Sequence, residues 1–397
     1  MTRFRPSDER ELVDIVAAAV AHEEPLEIVA GGSKRGLGRP LQTPHTLDVS
    51  AFSGIGAYEP EELVLTAAAA TPMAEIETAV DKAGQMLAFE PPDWRALLGS
   101  GDASPTLGGA LACNLTGPRR IKQGAARDHF LGFRGVSGRG EAFKAGGRVV
   151  KNVTGYDLCK LLAGSYGTLA VLTEVTLKVL PRPEDTRSIL VGGLDDATAQ
   201  RAMGDALNSP HEVSGAAHLP RGASGKDKPL TLLRLEGPEP SVAARAAALT
   251  VELAGFGAIA EARDVDSVRL WRGLRDAAPF AAVGECAVWR VSVPPVAGPS
   301  LAAAVAQHLD ARHFLDWGGG LVWLAIAGAE DGGAAAIRGA LEVSGGHATL
   351  IRGAPALRAA VPVFQPLPPA LAALTRRVKE SFDPKRVLNR GRMYPEL

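Results

Sequence analysis

The sequence predicts an α+β protein of two mixed units, residues 1–183 and 186–350, closed by a third segment, 351–397. Three observations carry that prediction. In the first unit short apolar strands alternate with helices, and two glycine-bearing turns lie about seventy residues apart. Pro181-Arg182-Pro183-Glu184-Asp185 then breaks the pattern, as closely spaced prolines do. Beyond it the elements lengthen, until one helix and a polar, turn-rich tail end the chain.

The elements follow in order. Ser7 reads as a helix N-cap, with Asp8 and Glu9 placed to meet the positive end of the helix. Leu12, Ile15, Val16, Ala19 and Val20 recur at helical spacing. Residues 26–29, 47–49 and 63–67 are predicted strands. Thr71-Pro72 opens a helix, a capping hydroxyl followed by proline at the first helical position. Ile76, Ala79 and Val80 give that helix its apolar face, and Gly84 stops it. Further strands are predicted at 149–150, 169–172 and 175–180.

In the second unit 188–191 and 230–235 read as strands, and 241–253 and 265–275 as helices. Residues 287–293 alternate like a half-buried strand. Gly318-Gly319-Gly320, between 314–317 and 321–326, predicts a hairpin. The Ala- and Gly-rich stretch 331–340 reads as helix and turn. Residues 368–382 form the last helix, and Leu388, Met393 and Tyr394 predict that the tail docks and does not fray. No internal repeat is visible in the sequence.

Bulk properties remove several function classes. Forty-three basic and 44 acidic side chains in 397 residues leave a net charge of −1. That argues against a nucleic-acid partner or an anionic membrane surface. Cys113, Cys159 and Cys286 are odd in number and widely separated, so neither a disulfide framework nor a metal site is expected. His308 and His313, five apart, would not share a helix face as zinc ligands. Residues 1–6 lack the apolar core of a signal peptide, and no run has the length of a membrane span. The expectation is a cytoplasmic protein, with any membrane attachment made peripherally, through partners.

The glycine turns carry the chemistry. Gly31-Gly32-Ser33-Lys34-Arg35-Gly36-Leu37-Gly38 follows the apolar run 26–30. Thr106-Leu107-Gly108-Gly109-Ala110-Leu111-Ala112-Cys113-Asn114 leads to Gly117-Pro118-Arg119-Arg120. Glycine lets backbone N–H groups approach a phosphate, and successive N–H groups in a turn form an anion-binding concavity. Two such turns suggest the pyrophosphate of a dinucleotide held between loops. Gly36 is followed by Leu37 and Gly38 where a P-loop needs Lys and Ser/Thr. The G-x-G-x-x-G fingerprint is also missing, which argues against a Rossmann site.

A third segment, Gly146-Gly147-Arg148-Val149-Val150-Lys151-Asn152-Val153-Thr154-Gly155-Tyr156-Asp157-Leu158, precedes Gly164-Ser165-Tyr166-Gly167-Thr168. Taken with the two turns, this order resembles the FAD-binding domain of the vanillyl-alcohol oxidase/PCMH flavoprotein superfamily. Within it the chain is similar to the FAD-binding subunits of bacterial glycolate oxidases. The matching stretches include Glu90-Pro91-Pro92, Asp316-Trp317-Gly318-Gly319, Gly345-Gly346-His347-Ala348-Thr349 and Gly391-Arg392-Met393-Tyr394.

The resemblance implies a PCMH-type FAD-binding domain of two α+β subdomains, an α+β cap domain, and a C-terminal segment that returns to the FAD domain. It implies that Gly31, Gly32, Ser33, Lys34, Arg35 and Gly36 wrap the pyrophosphate. Thr106, Gly108, Gly109, Asn114 and Gly117 would form the second wall. Gly167 and Val171 would lie along the cofactor, and Asn389 would approach the flavin. Ser33 stands where some relatives attach FAD through histidine, so the expected FAD is non-covalent, and Cys113 reads as a packed thiol.

Related 2-hydroxyacid dehydrogenases carry several histidines where only His347 stands here. His347 is a candidate base or a histidine at a domain seam. Arg119 and Arg120 are candidates to hold a carboxylate or diphosphate, or form a solvated pair. Lys151 and Tyr156 would face the flavin, or pair with Asp157 and pack. The implied function is the FAD subunit of a glycolate (2-hydroxyacid) oxidase complex, with a larger homologous flavoprotein and an iron–sulfur subunit as partners. A self-sufficient FAD dehydrogenase using His347 as base, and a non-catalytic FAD-binding scaffold, remain as alternatives.

Overall fold

The computed structural model describes residues 2–147, 155–223 and 228–397. A helix, Glu9–His22, packs Leu12, Val16 and Ala19 against a small parallel sheet ordered Thr2–Phe4, His45–Asp48, Leu26–Val29. The helix begins one residue later than the sequence reading. Asp8 is the N-cap, accepting from the Glu11 N–H at 2.9 Å, while the Ser7 hydroxyl donates to the Glu11 carboxylate.

A five-stranded antiparallel sheet follows, ordered Ile55–Glu59, Val64–Ala68, Ala170–Lys178, Phe130–Ser137, Ala142–Gly146. The two strands expected between 169 and 180 are one, Ala170–Lys178, with a further two-residue strand at Leu180–Pro181. Thr71 does not cap its helix. Pro72 is the N-cap of Met73–Lys82, and the Thr71 hydroxyl donates to the Ala68 carbonyl at 2.7 Å. The strand expected at 149–150 lies outside the described residues.

From Asp185 on, eight strands form one antiparallel sheet, ordered Ala258–Arg263, Asp185–Gly192, Leu230–Gly237, Gly215–Leu219, Asp310–Asp316, Leu321–Ala327, Ala287–Ser292, His347–Arg352. The order holds a repeat that the sequence hides. Asp185–Gly192 to Ala258–Arg263 is one β-α-β-β-α-β unit, and Ala287–Ser292 to His347–Arg352 is another. This is the split βαβ motif. The two units meet edge to edge where His218 pairs with Leu315.

The strand Ala287–Ser292 alternates as expected from Trp289 to Ser292, while Val288 on its second face is also fully buried. Trp289 and Val291 pack under the cap helices, while Arg290 and Ser292 point to the opposite face. That second face meets the first unit. Trp94 from the first unit sets its ring edge-on to Trp323 of the cap at 5.5 Å, in a core that also takes in Leu37, Leu97, Phe280 and Phe314. The expected hairpin is present, with Asp310–Asp316 and Leu321–Ala327 joined by the 3₁₀ turn Trp317–Gly319. The cap core also includes Val361, Val363 and Phe364. The tail docks, as Leu388 is fully buried beside Leu26.

Candidate functional site

A cleft of about 820 Å³, part of it open to solvent, runs between the small parallel sheet and the five-stranded sheet. The turn after Leu26–Val29 supplies one wall, with Gly31, Gly32, Ser33, Lys34 and Arg35. Thr106, Gly108, Gly109, Ala112 and Cys113 supply the facing wall. Tyr166, Gly167, Ala170 and Val171 line a third side, and Asn389 and Arg392 reach in from the tail.

The walls are close because glycine lets them be. A Cβ on Gly31 would lie 1.8 Å from the Ser104 carbonyl oxygen, and the Ser104 N–H already donates to Gly31 O at 3.0 Å. Thr106 caps the short helix Leu107–Ala112, its hydroxyl accepting from the Gly109 N–H. Gly167 has φ +69°, and a Cβ there would lie 2.8 Å from Asn389 Nδ2. Tyr166 holds φ +55°, an uncommon conformation for a bulky residue. It is kept there by its N–H donating to Ala112 O and by Asn389 Nδ2 donating to its carbonyl, both at 2.8 Å.

The tail sets the first turn as well. Arg392 Nη1 donates to Arg35 O and Leu37 O, and Arg358 Nη1 donates to Gly36 O and Gly38 O. Asn389 Oδ1 accepts from the Ile28 N–H at 2.9 Å. Its amide is therefore spent on joining two walls of the cleft. Lys379, buried with Asp383 at 2.7 Å, anchors the last helix to Thr168 O and Leu388 O.

One cation inside the cleft, Lys34, has no ion-pair partner among the described residues. Lys34 Nζ has a single hydrogen-bond partner among the described residues, Ser33 Oγ at 3.3 Å. Burial pulls its pKa below the ordinary lysine value. Arg35 is different, since its Nε donates to Glu27 at 2.9 Å and its side chain is half exposed. Burial pushes the Cys113 thiol up to about 11, and pushes the Tyr166 phenol up too. Both are neutral at ordinary pH. A lone ammonium among close-approaching backbone turns suits a diphosphate, and the apolar flanks from Val49, Ala69, Ala112 and Val171 suit flat aromatic rings.

Of the expected cofactor residues, Gly31, Gly32, Ser33, Lys34, Arg35, Thr106, Gly108, Gly109, Gly167, Val171 and Asn389 line this cleft. Gly36, Asn114 and Gly117 do not. The Gly36 carbonyl serves Arg358, Asn114 Oδ1 accepts from the Arg127 N–H, and Gly117 O accepts from Trp317 Nε1.

The candidate catalytic residues are not brought together. Arg119 is locked in a buried ion cluster, with Glu90 at 3.0 Å and Glu236 at 2.5 Å, and is not free to hold a ligand. Lys151 lies outside the described residues. Tyr156 is almost fully exposed, and Asp157 caps a short helix while pairing with Lys160. His347 sits at the start of the cap's edge strand, opposite Ser292. Burial first, then Arg290 and Arg120, hold its pKa below the usual histidine value.

Sequence reasoning missed Tyr166, Arg392 and Arg358 as builders of the site. Arg358 sits on the short helix Pro355–Ala360 and Arg392 in the turn-rich tail, both far in sequence from the loops they hold, and only folding shows that pairing.

This architecture, with a cleft between two α+β subdomains and a cap sheet over one end, defines an FAD-binding flavoprotein of the PCMH type. The FAD binding domain family model matches residues 3–146, and the model for the C-terminal domain of FAD linked oxidases matches 365–393. The chain covers 99% of its own length and 88% of p-cresol methylhydroxylase with substrate bound, at TM-score 0.71 and 13% identity, a likeness of fold. It is 38% identical over 391 residues to glycolate oxidase subunit GlcE of Escherichia coli K12, spanning 97% of each chain. A shorter match, 38% over 102 residues, covers 26% of this chain and 21% of glycolate oxidase subunit GlcD of Bacillus subtilis 168. The chain belongs to the GlcE family of FAD-linked oxidase subunits.

Proposed function

We propose that this chain is the FAD-carrying GlcE-type subunit of an oxidase acting on glycolate or another small 2-hydroxy acid. The observation that carries this is the cleft itself, a glycine turn facing a short glycine-bearing helix and, among the described residues, one ammonium with no ion-pair partner, in a chain similar end to end to a glycolate oxidase subunit. When bound, FAD supplies the acceptor for the two electrons that leave the hydroxy acid's carbon. Lys34 and the Gly31–Ser33 turn hold the diphosphate. Val49, Ala112 and Val171 exclude water along the rings. Asn389 and Arg392 keep the walls in register from the tail.

FAD binding is non-covalent in this reading, since Ser33 offers no ring nitrogen and the Cys113 thiol stays protonated. Onward transfer needs partner subunits, and we assign the larger flavoprotein and an iron–sulfur protein to that role. Among the described residues no helix is long and apolar enough to cross a membrane. In this reading the chain works in the cytoplasm, at the membrane only through those partners.

The test is anaerobic absorbance of the purified chain before and after glycolate, followed by acid precipitation. A releasable flavin is expected. Bleaching by glycolate would make the chain a dehydrogenase by itself. A bound flavin that stays oxidised would leave it a relay within the complex. No flavin after reconstitution with FAD would overturn the proposal.

A further inference from the structure

Beside the cleft, the cap turns a cationic face toward the FAD-binding unit. Arg290 stands directly opposite Thr349, and Ser292 opposite His347, so all four share one side of the sheet. Trp317 lies in the turn that leads into Leu321–Ala327, the strand paired with Ala287–Ser292, and its indole carries two guanidiniums, Arg290 at 4.7 Å and Arg120, from the FAD-binding unit, at 4.6 Å. Among the described residues neither guanidinium has a hydrogen-bond or ion-pair partner.

Most other interior arginines of this chain are neutralised. Arg234 and Arg119 share Glu90 and Glu236, and Arg392 reaches Glu27. The carboxyl that acts on Arg290, Asp316, is itself buried, accepts from the Trp317 N–H, and is pushed up to about 7, so it cancels the charge only in part. Burial first, then Arg120, hold Arg290 down to about 10. Two like charges on one indole, neither in ion-pair contact with a carboxylate among the described residues, are unfavourable unless an anion joins them. Tyr166, which lines the cofactor cleft, packs against the same apolar cluster as Trp317. The cationic face and the cleft therefore adjoin.

We propose that Arg290 and Arg120, stacked on Trp317 and flanked by His347, form a clamp for the carboxylate of a small organic acid. Resting on the function proposed above, that acid is the 2-hydroxy acid substrate, held with its carbon end toward the cleft. Guanidiniums offer paired N–H groups that match a carboxylate. Arg120 comes from one unit and Arg290 from the other, so the clamp exists only when cap and FAD-binding unit are docked.

The experiment is calorimetric titration of the purified chain with oxalate, a redox-inert two-carbon dicarboxylate, with flavin content recorded separately by absorbance. Saturable oxalate binding is expected, with glycolate competing and the neutral glycolamide not. Arg290→Met and Arg120→Gln should each weaken oxalate at least tenfold, the loss expected for a charge-assisted pair. Arg290→Lys should lose less. Should Arg290→Met melt early, Arg120→Gln, half-buried at the unit boundary, still decides. FAD present but no heat with oxalate overturns the clamp and leaves the FAD reading standing. Oxalate binding to a chain that never takes FAD upholds the clamp and overturns that reading. Variants that bind oxalate like the parent overturn the clamp.

Discussion

Lys34 keeps its charge inside the cleft with little but the Ser33 hydroxyl beside it. Burying an unpaired ammonium is costly, so its use lies in what it meets when FAD binds. Lys34→Met should raise the FAD dissociation constant on the order of tenfold or more, while the apoprotein melts no earlier. Fluorescence titration of apoprotein and a melting curve check both halves. The sign with pH follows from the lowered pKa. Lys34 loses its proton before an ordinary lysine does, so FAD affinity should fall early on the alkaline side, and the Met variant should lack that limb. At this scale much was legible, since Lys34 and the glycines are local in sequence. The free state of Lys34 against the paired state of Arg35 was not, because Glu27 reaches Arg35 only through the turn.

Among the elements, the tail is the part whose role exceeds its length. It contributes Asn389, which ties Ile28 to Tyr166, and Arg392, which ties Arg35 and Leu37. Asn389→Ala removes two hydrogen bonds and leaves the Ile28 N–H without its partner, a loss of about 1–3 kcal/mol. The expected outcome is a lower melting point together with weaker FAD binding, and stability restored in part by saturating FAD. A variant that loses stability but keeps full FAD affinity would separate the tail from the cleft. Docking of the tail was predictable from Leu388, Met393 and Tyr394. Its arginines were not, because a hydrogen bond to a backbone carbonyl leaves no mark on the acceptor's sequence.

For the whole molecule, the decisive contact is between units. Glu90 and Arg119 from the FAD-binding unit interlock with Ser214, Arg234 and Glu236 of the cap, and Arg234 stacks on Trp271 at 4.6 Å. Burial would raise the Glu236 carboxyl, but Arg234 and Arg119 outweigh it and hold it at about 2. A carboxyl with a depressed folded value stabilises above its ordinary pKa of 4.5 and loses that contribution as pH falls toward 2. Glu236→Gln should therefore flatten the acid limb of the stability curve over that window. At neutral pH it should cost about 3 kcal/mol, since two buried guanidiniums lose a partner. Because the units share a core as well as this cluster, thermal unfolding should be one transition, and two separated transitions would contradict the shared core.

By itself the sequence determined the two glycine segments, the strand that presents the first, and the presence of Lys34 within it. These depend on residues close in the chain, where periodicity and glycine leave local marks. Only the tertiary structure decided that Arg119 is spent on carboxylates while Arg120 and Arg290 are left free on Trp317. It also revealed the doubled split βαβ unit of the cap. Such facts turn on which distant side chains meet, and an arginine reads the same in sequence whether a carboxylate reaches it or not.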